Sequence, residues 1–333
     1  MNLKILFLKL RQRIWILLVL STYKKKYYPL FYKSYWHCLL TKKNIKNNVV
    51  QYFAAYPNFG AGIGHQMANW ISGYWWAHQF KLNYAYIPFP NQSWDHFLGF
   101  GENEIKVNEL LKKGFNMVLL PLFYENIQRQ QLIKNIINSY ANQKVIFIAE
   151  QDQSFKNQFE IMDILKQKFY NAPYRKNDIL TYSDAYLNIA IHVRRGDIVV
   201  KNRNKNANLS MRWQNNSYFV TVLQTVIETI QTVKPIQIYL FSQGERSNFC
   251  EFEKFENIIF CLDMPPQESF LNMVYADLLI TSKSSFSYKP ALINNGIKIC
   301  PKDFWHGYPQ REDWILADEN GNFNTDQLKR LQP

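Results

Sequence analysis

The stretch Leu187-Asn188-Ile189-Ala190-Ile191-His192-Val193-Arg194-Arg195-Gly196-Asp197 passes in one step from apolar to charged. Its first five residues read as a buried strand. Just past the strand end stand an imidazole, two adjacent guanidiniums and a carboxylate. In open α/β sheets, ligands bind in the crevice outside the carboxyl ends of the strands. Adjacent arginines at such an edge form a rigid, permanently charged receptor for phosphate oxygens. Asp197 could hold an arginine or His192 in place, or bond a ligand hydroxyl. The stretch therefore predicts a site for a polyanionic, diphosphate-containing ligand. The competing reading is a surface turn with a local ion pair.

On either side of this stretch, strand and helix patterns alternate. Upstream, Val49–Ala55 reads as a strand, Pro57–Gly64 as a glycine-rich loop, Gln66–Leu82 as a helix and Tyr84–Ile87 as a strand, which makes a βαβ unit. Val118–Leu120 and Val145–Ala149 are further strands, with helices over Gln128–Tyr140 and Phe159–Phe169. Downstream, strands are predicted at Leu187–Val193, Ile236–Phe241, Ile258–Leu262, Leu278–Thr281 and Ile297–Cys300. Helices are predicted at Tyr218–Gln231, Glu268–Ala276 and Tyr288–Asn294. Strict alternation of this kind argues for an α/β fold with parallel sheets under helical cover. The expected organisation is a leader over 1–47, an N-terminal lobe over 48–185, a C-terminal lobe over 186–310 and a tail over 311–333.

The chain has 333 residues, 47% of them hydrophobic, and a net charge of +13. Such a balance favours acidic partners: nucleotide phosphates, anionic lipid head groups or nucleic acid. The charge is uneven. Residues 1–46 contain Lys4, Lys9, Arg11, Arg13, Lys24, Lys25, Lys26, Lys33, Lys42, Lys43 and Lys46 but no acid. Tyr23, Tyr27, Tyr28, Phe31, Tyr32, Tyr35 and Trp36 are interleaved with them. Basic residues mixed with Tyr and Trp suit a membrane surface. The apolar run Ile14–Leu20 is short for a span of ~20 residues. An interfacial helix at the cytoplasmic face is therefore expected, with a single-span anchor through residues 1–22 as the alternative. A non-catalytic, basic membrane-surface or nucleic-acid-binding protein is the rival class. Against nucleic acid, the charge lies away from the motifs and no nucleic-acid module appears. Cys38, Cys250, Cys261 and Cys300 are scattered without metal-ligand spacing, so free thiols in a reducing compartment are expected.

Two further motifs flank the arginine pair. Gly60-Ala61-Gly62-Ile63-Gly64-His65-Gln66-Met67 joins a strand to a helix, where glycines permit close backbone approach and the helix N-terminus favours negative charge. As a dinucleotide fingerprint it lacks the third glycine. Ala276–Thr281 runs into Ser282-Lys283-Ser284-Ser285-Phe286-Ser287, so Ser284 and Ser285 could cap a helix and form a second phosphate cradle.

Together the three motifs resemble the GDP-fucose-dependent fucosyltransferases, particularly the α-1,2-fucosyltransferase family. The family's His-x-Arg-Arg-x-Asp pattern is matched in full by His192–Asp197. Its Gly-x-Gly-Asn-Gln-Met pattern is matched by Gly62–Met67, with His65 in place of Asn. Its Ser-Ser/Thr-Phe-Ser stretch is matched by Ser284–Ser287, and the aromatic pair that usually follows is here Tyr288-Lys289. The resemblance implies a fold of the glycosyltransferase B type: two Rossmann-like lobes facing a cleft, with GDP-fucose bound chiefly by the C-terminal lobe. It implies that Arg194 and Arg195 bind the diphosphate, that His192 lies near the guanosine with Asp197 orienting it, and that Ser284 and Ser285 serve the phosphates. Gly62, Gly64 and Gln66 would form the opposing loop. Glu268 is the nearest acid to read the guanine edge, and Arg195 and His65 are the catalytic candidates.

No Asp-x-Asp occurs in the chain, so no metal clamp and no cofactor are expected, and arginine charge must stabilise the departing GDP. The expected partners are GDP-fucose, a glycan acceptor carried on a lipid, and a membrane surface. The expected linkage is α-1,2, with α-1,6 or protein O-fucosyl transfer as alternatives.

Overall fold

Parallel strands, the central ones buried on both faces, build the two sheets of the protein. In the computed structural model, residues 3–41, 49–196 and 211–331 are described, apart from the side chains at 3–6, 8, 9 and 12. The chain divides into two compact units. The first comprises residues 1–59, 68–88 and 103–155, the second 60–67, 89–102 and 156–333.

The first unit is built on strands β1 (Tyr52–Ala55), β2 (Asn83–Tyr84), β3 (Asn116–Leu119) and β4 (Val145–Ala149) in the order β2-β1-β4-β3, all parallel. Every residue of β4 is buried, which is why it reads as an unbroken apolar run. Ala54, Ala85, Val107, Leu110, Ile146 and Ile148 form the core on one side.

The second unit carries β5 (Leu187–His192), β6 (Ile236–Ser242), β7 (Ile258–Leu262), β8 (Leu278–Ile280), β9 (Ile297–Pro301) and β10 (Trp314–Ala317). Their order is β10-β9-β8-β5-β6-β7, again all parallel. Counted from β5 as the first strand, this is the doubly wound order 3-2-1-4-5-6, with its reversal between β5 and β8. The sequence-predicted α/β class with two parallel sheets is therefore what the chain adopts.

The predicted boundaries differ from the observed ones in three places. First, the cut near residue 185 falls too late. The helix Met162–Tyr170 packs on the helix Ser285–Ile293, and Phe97, Phe169 and Phe270 meet with ring centroids 5.8–6.2 Å apart. These contacts bind the segments that carry Phe97 and Phe169 to the helices Pro266–Tyr275 and Ser285–Ile293 of the second unit. Second, 311–333 is not a tail. β10 extends the sheet beside β9, and the helix Thr325–Arg330 buries Leu328 in the core of the second unit. A four-residue strand followed by a polar turn gives too short an apolar run to read.

Third, the leader is not a detached surface segment. Helix Leu3–Thr22 and helix Lys33–Leu40 belong to the first unit, and Val19, Tyr28, Tyr32 and Leu122 form a buried cluster there, with Trp15 packed on it. Tyr28 Oη accepts a hydrogen bond from the Leu122 amide at 2.8 Å and lies 2.5 Å from Tyr32 Oη. Trp15 Nε1 donates to Glu150 at 3.1 Å, and Ser34 Oγ donates to the Leu119 carbonyl at 2.8 Å. Aromatic residues interleaved with bases read as interfacial from sequence, yet Tyr28 and Tyr32 are buried and Tyr23 and Tyr35 pack against them. No helix among the described residues is long and apolar enough to cross a membrane. Lys42, Lys43 and Lys46 lie outside the described residues.

Burial pushes the Tyr28 phenol up to about 12, so its hydroxyl keeps its proton at any working pH. Tyr28→Phe removes the acceptor of a buried amide, which costs about 1–3 kcal/mol when a donor is left unsatisfied. Urea unfolding should show this loss. An unchanged midpoint would mean that the Tyr28–Leu122 bond does not help to hold the leader on the first unit.

A candidate polyanion-binding site at the β5–β8 reversal

The reversal between β5 and β8 opens a crevice where the two strands end, and the charged residues of the sequence motif fall there. β5 is buried along its whole length and ends at His192. His192 Nδ1 lies 2.8 Å from Oγ of Ser282, the second residue after β8, so one hydrogen bond ties the two strand ends together. Burial first, and then Arg194 and Arg195, push the His192 imidazole down to about 3. It is therefore a neutral group at neutral pH, not a third cation.

The two arginines are held differently. Arg194 is half-buried and donates from Nη1 to Ser284 Oγ at 3.1 Å. Arg195 is only 7% exposed. It donates to the Arg194 carbonyl at 2.8 Å and to Oδ1 of Asn216, and its guanidinium lies 4.2 Å from the Trp213 ring centroid. Asn216 in turn donates to Glu251 Oε2 at 2.8 Å, and this bond is the main reason the Glu251 carboxyl sits below its usual range. Gly196 follows with φ +55, in the left-handed region that favours glycine, and lets the chain turn away beside Gln243.

β8 ends in the hydroxyl run. Ser284 caps the helix Ser285–Ile293 by accepting from the Phe286 amide at 3.2 Å. Its oxygen thus serves both the helix end and Arg194, whereas Ser285 lines the cavity as the first helical residue. The first turn of the helix Ile63–Gln79, which follows the glycine loop, closes over this helix start. A Cβ on Gly64 would meet the Ser285 carbonyl carbon and oxygen at 2.8 Å, so only glycine permits that approach. Gly62 has open space around its missing Cβ and lines the cavity.

The resulting cavity has a volume of about 520 Å³, within the ~300–1,000 Å³ typical of small-molecule sites. Arg194, Arg195, a third arginine, Arg212, and the N-terminus of the helix Ser285–Ile293 all face it, while Trp94, Phe241 and Phe286 supply apolar wall. No acidic side chain lines it among the described residues. That combination fits an anion with an aromatic or sugar portion. An adjoining cavity of about 730 Å³ shares Arg195 and Gln243 and carries Glu251 and Asp263. A cavity of about 490 Å³ at the opposite ends of β5, β8 and β9 is lined by Asp277 and Asp313, so it suits no phosphate.

Of the sequence-predicted site residues, His192, Arg194, Arg195, Ser284, Ser285, Gly62, Gly64 and His65 are gathered around one cavity. His65 is exposed on its rim. Gln66 does not line it; its amide donates to the Ala61 carbonyl at 2.7 Å and shapes the glycine loop. Glu268 does not line it either. It is exposed in the first turn of the helix Pro266–Tyr275, and Ser269, one residue on, faces the cavity instead. The helical turn rotates successive side chains by about 100°, which sends the acid outward. Asp197 lies outside the described residues.

Sequence reasoning missed Ser282, Arg212, Trp213 and Asn216. Arg212-Trp213, a base beside an aromatic shortly after the motif, was the available signal, and Arg212 sits 4.8 Å from the Trp305 ring centroid. Tyr288 and Lys289, the departure from the family's aromatic pair, are buried away from the cavity. Tyr288 Oη donates to the Gly307 carbonyl at 2.7 Å, and Lys289 Nζ donates to Gln158.

No family model matches the chain, and no curated protein matches it. Solved structures do superpose. NodZ α-1,6-fucosyltransferase soaked with GDP-fucose aligns at a TM-score of 0.41 and 10% identity, over 74% of this chain and 92% of its own. An Arabidopsis thaliana FUT1 variant in complex with GDP aligns at 0.43 and 10%, over 80% and 73%. POFUT1 in complex with GDP aligns at 0.43 and 11%, over 75% and 98%. Superpositions this loose assign no residue a role; the cavity's chemistry rests on this chain's own side chains.

A buried neutral histidine makes stability depend on pH. The folded-state value of His192, about 3, lies below the unfolded value near 6.5, so its contribution is fully present above pH ~6.5 and is lost as pH falls toward 3. His306, stacked on Tyr288 and pushed down to about 2 by burial, Lys289 and His65, adds in the same direction. Between pH 7 and pH 5, His192 should account for roughly 1–2 kcal/mol of lost stability. Urea unfolding of His192→Asn should therefore be less pH-dependent than that of the unsubstituted chain; an identical pH dependence would mean His192 is already charged in the native state.

Proposed function

We propose that the protein transfers L-fucose from GDP-β-L-fucose to a hydroxyl of an acceptor glycan with inversion and without a metal ion, in a fold of the glycosyltransferase B type. The observation that carries this reading is the cavity at the β5–β8 reversal, where three arginines and a helix N-terminus converge with no acid among the described lining residues. A nucleoside diphosphate matches that charge, and the aromatic wall matches a base or a sugar face. The motif resemblance narrows the donor to GDP-fucose.

In the proposed reaction the acceptor hydroxyl oxygen bonds to the fucose anomeric carbon as the bond from that carbon to the β-phosphate oxygen breaks. The electron pair leaves with GDP, whose growing charge Arg194 and Arg195 stabilise, and the acceptor proton passes to His65 on the rim. Preorganised charge at the leaving group is often the largest catalytic contribution. Arg194 is assigned to the diphosphate directly. Arg195, locked by Asn216 and Trp213, completes the pair.

The finer reading is an α-1,2 linkage to a galactose-type sugar, with the acceptor on a lipid carrier and the enzyme peripheral at the cytoplasmic face of a membrane. His65 in place of the family's Asn favours a second reading, α-1,6 or protein O-fucosyl transfer, which linkage analysis of the product separates from the first.

A GDP-release screen with GDP-fucose, GDP-mannose and UDP-sugars tests the class. Release from GDP-fucose alone, persisting in excess EDTA, is expected; complete and reversible loss on chelation would remove the metal-free mechanism. Arg194→Lys and Arg195→Lys keep the charge and lose the planar fork. Each should lower turnover about a hundredfold, equivalent to ~3 kcal/mol of transition-state stabilisation. Near-normal turnover by a folded Arg194→Lys protein would withdraw the diphosphate assignment.

A further inference from the structure

We infer that the leader is a folded lipid-docking platform: one face of residues 7–40 anchors it to the first unit, and the other binds an anionic bilayer surface. The helix Leu3–Thr22 turns only a narrow side inward. Trp15, Leu18, Val19 and Thr22, spaced i, i+3, i+4 and i+7, are its partly or fully buried positions. The described remainder is exposed, and much of it is apolar. Phe7, Leu10, Ile14 and Leu17, at successive spacings of three, four and three, form one stripe along the helix and are 55–67% exposed. A second exposed cluster follows. Trp36 Nε1 donates to the Leu30 carbonyl at 2.8 Å, and the Tyr27 and Phe31 rings lie 6.2 Å apart, each residue in this group being more than two-fifths exposed.

Apolar surface of this extent, held out by a structured base, marks an interaction site. The charge around it selects the partner. Arg11, Arg13, Lys24, Lys25, Lys26 and Lys33 are exposed among these residues, and residues 1–46 hold no Asp or Glu. A second copy of the same face would bring like charges together. An anionic bilayer instead meets bases with phosphate and apolar side chains with acyl chains, which is how interfacial helices bind. Exposed Tyr and Trp suit the headgroup level. Docking does not depend on the reaction proposed above.

The buried half of the leader decides how the inference is tested. Deleting residues 1–46 would strip Tyr28 and Tyr32 from the first unit and confound binding with folding. Substitutions on the exposed face avoid this. The full chain should co-sediment with phosphatidylcholine vesicles that contain phosphatidylglycerol, not with phosphatidylcholine alone, and high salt should release it. Reversing Lys24, Lys25 and Lys26 to Glu should weaken that binding by a hundredfold or more. Leu10→Ser combined with Ile14→Ser and Leu17→Ser should weaken it independently, with the circular dichroism and melting of both variants unchanged. The inference is overturned if the unsubstituted chain ignores anionic vesicles at low salt. It is also overturned if the serine variant dissociates a dimer in sedimentation equilibrium while vesicle binding is absent or unaltered, which would assign the face to a second copy.

Discussion

Everything in the candidate site hangs on two parallel strands that end side by side while the chain leaves them in different directions. At the β5–β8 reversal no tight turn can close the sheet edge, so the backbone there stays open to a ligand. The His192–Ser282 hydrogen bond joins these ends. From it the other contacts follow in sequence. Arg194 reaches the oxygen of the helix cap two residues after Ser282, and the helix that Ser284 caps receives the glycine loop on its first backbone carbonyl. A shift of either strand would move the arginine pair and the helix N-terminus together.

Burial and the neighbouring charge explain why the histidine is neutral. Burial penalises a charged imidazole most, and the two adjacent guanidiniums then repel any further cation. A neutral imidazole can still bond Ser282 without adding to the field. Glu251 contributes on the other side, but through an amide. Asn216 stands between it and Arg195 and helps to orient the guanidinium. Asn216 and the Trp213 face fix the geometry of the Arg195 guanidinium at the edge of the cavity.

The legibility of the sequence follows the same physics. β4, β5 and β9 are buried on both faces, so β4 reads as an unbroken apolar run and β5 and β9 as apolar runs interrupted only by Asn188 and Lys298, and the parallel α/β class came with them. The motif at a strand end located the crevice because ligand sites in such sheets fall there. Short elements carried no comparable signal: the helices Gln92–Leu98 and Val107–Lys112 span two turns or fewer, and β10 joins the sheet only through β9. Within the site, residue type was legible and side-chain direction was not. Glu268 and Ser269 differ by one helical step, yet only the serine faces the cavity. Ser284 and Ser285 looked equivalent, but one is spent on the cap and Arg194 while the other is open to a ligand. The partners that hold Arg195 come from other elements, and contacts set by tertiary packing leave no local pattern to read.

The leader shows how one composition can serve two environments. Tyrosine and tryptophan have large apolar bodies and polar tips, so they fit equally well in a core that satisfies the tip and at a membrane interface that hydrates it. Tyr28 and Tyr32 took the first course because each has a hydroxyl partner, and Tyr28 also meets the Leu122 amide, which β3 and the following turn leave available. Tyr27, Phe31 and Trp36 are interleaved with or flank them in sequence and are exposed. A segment that only packed on the first unit would have no use for an acid-free run of bases beside exposed aromatics, and a segment that only bound lipid would have no need of buried, hydrogen-bonded tyrosines. In the lipid-docking platform proposed above, both demands would act on the same forty residues, which accounts for aromatic and basic residues that alternate instead of separating into blocks.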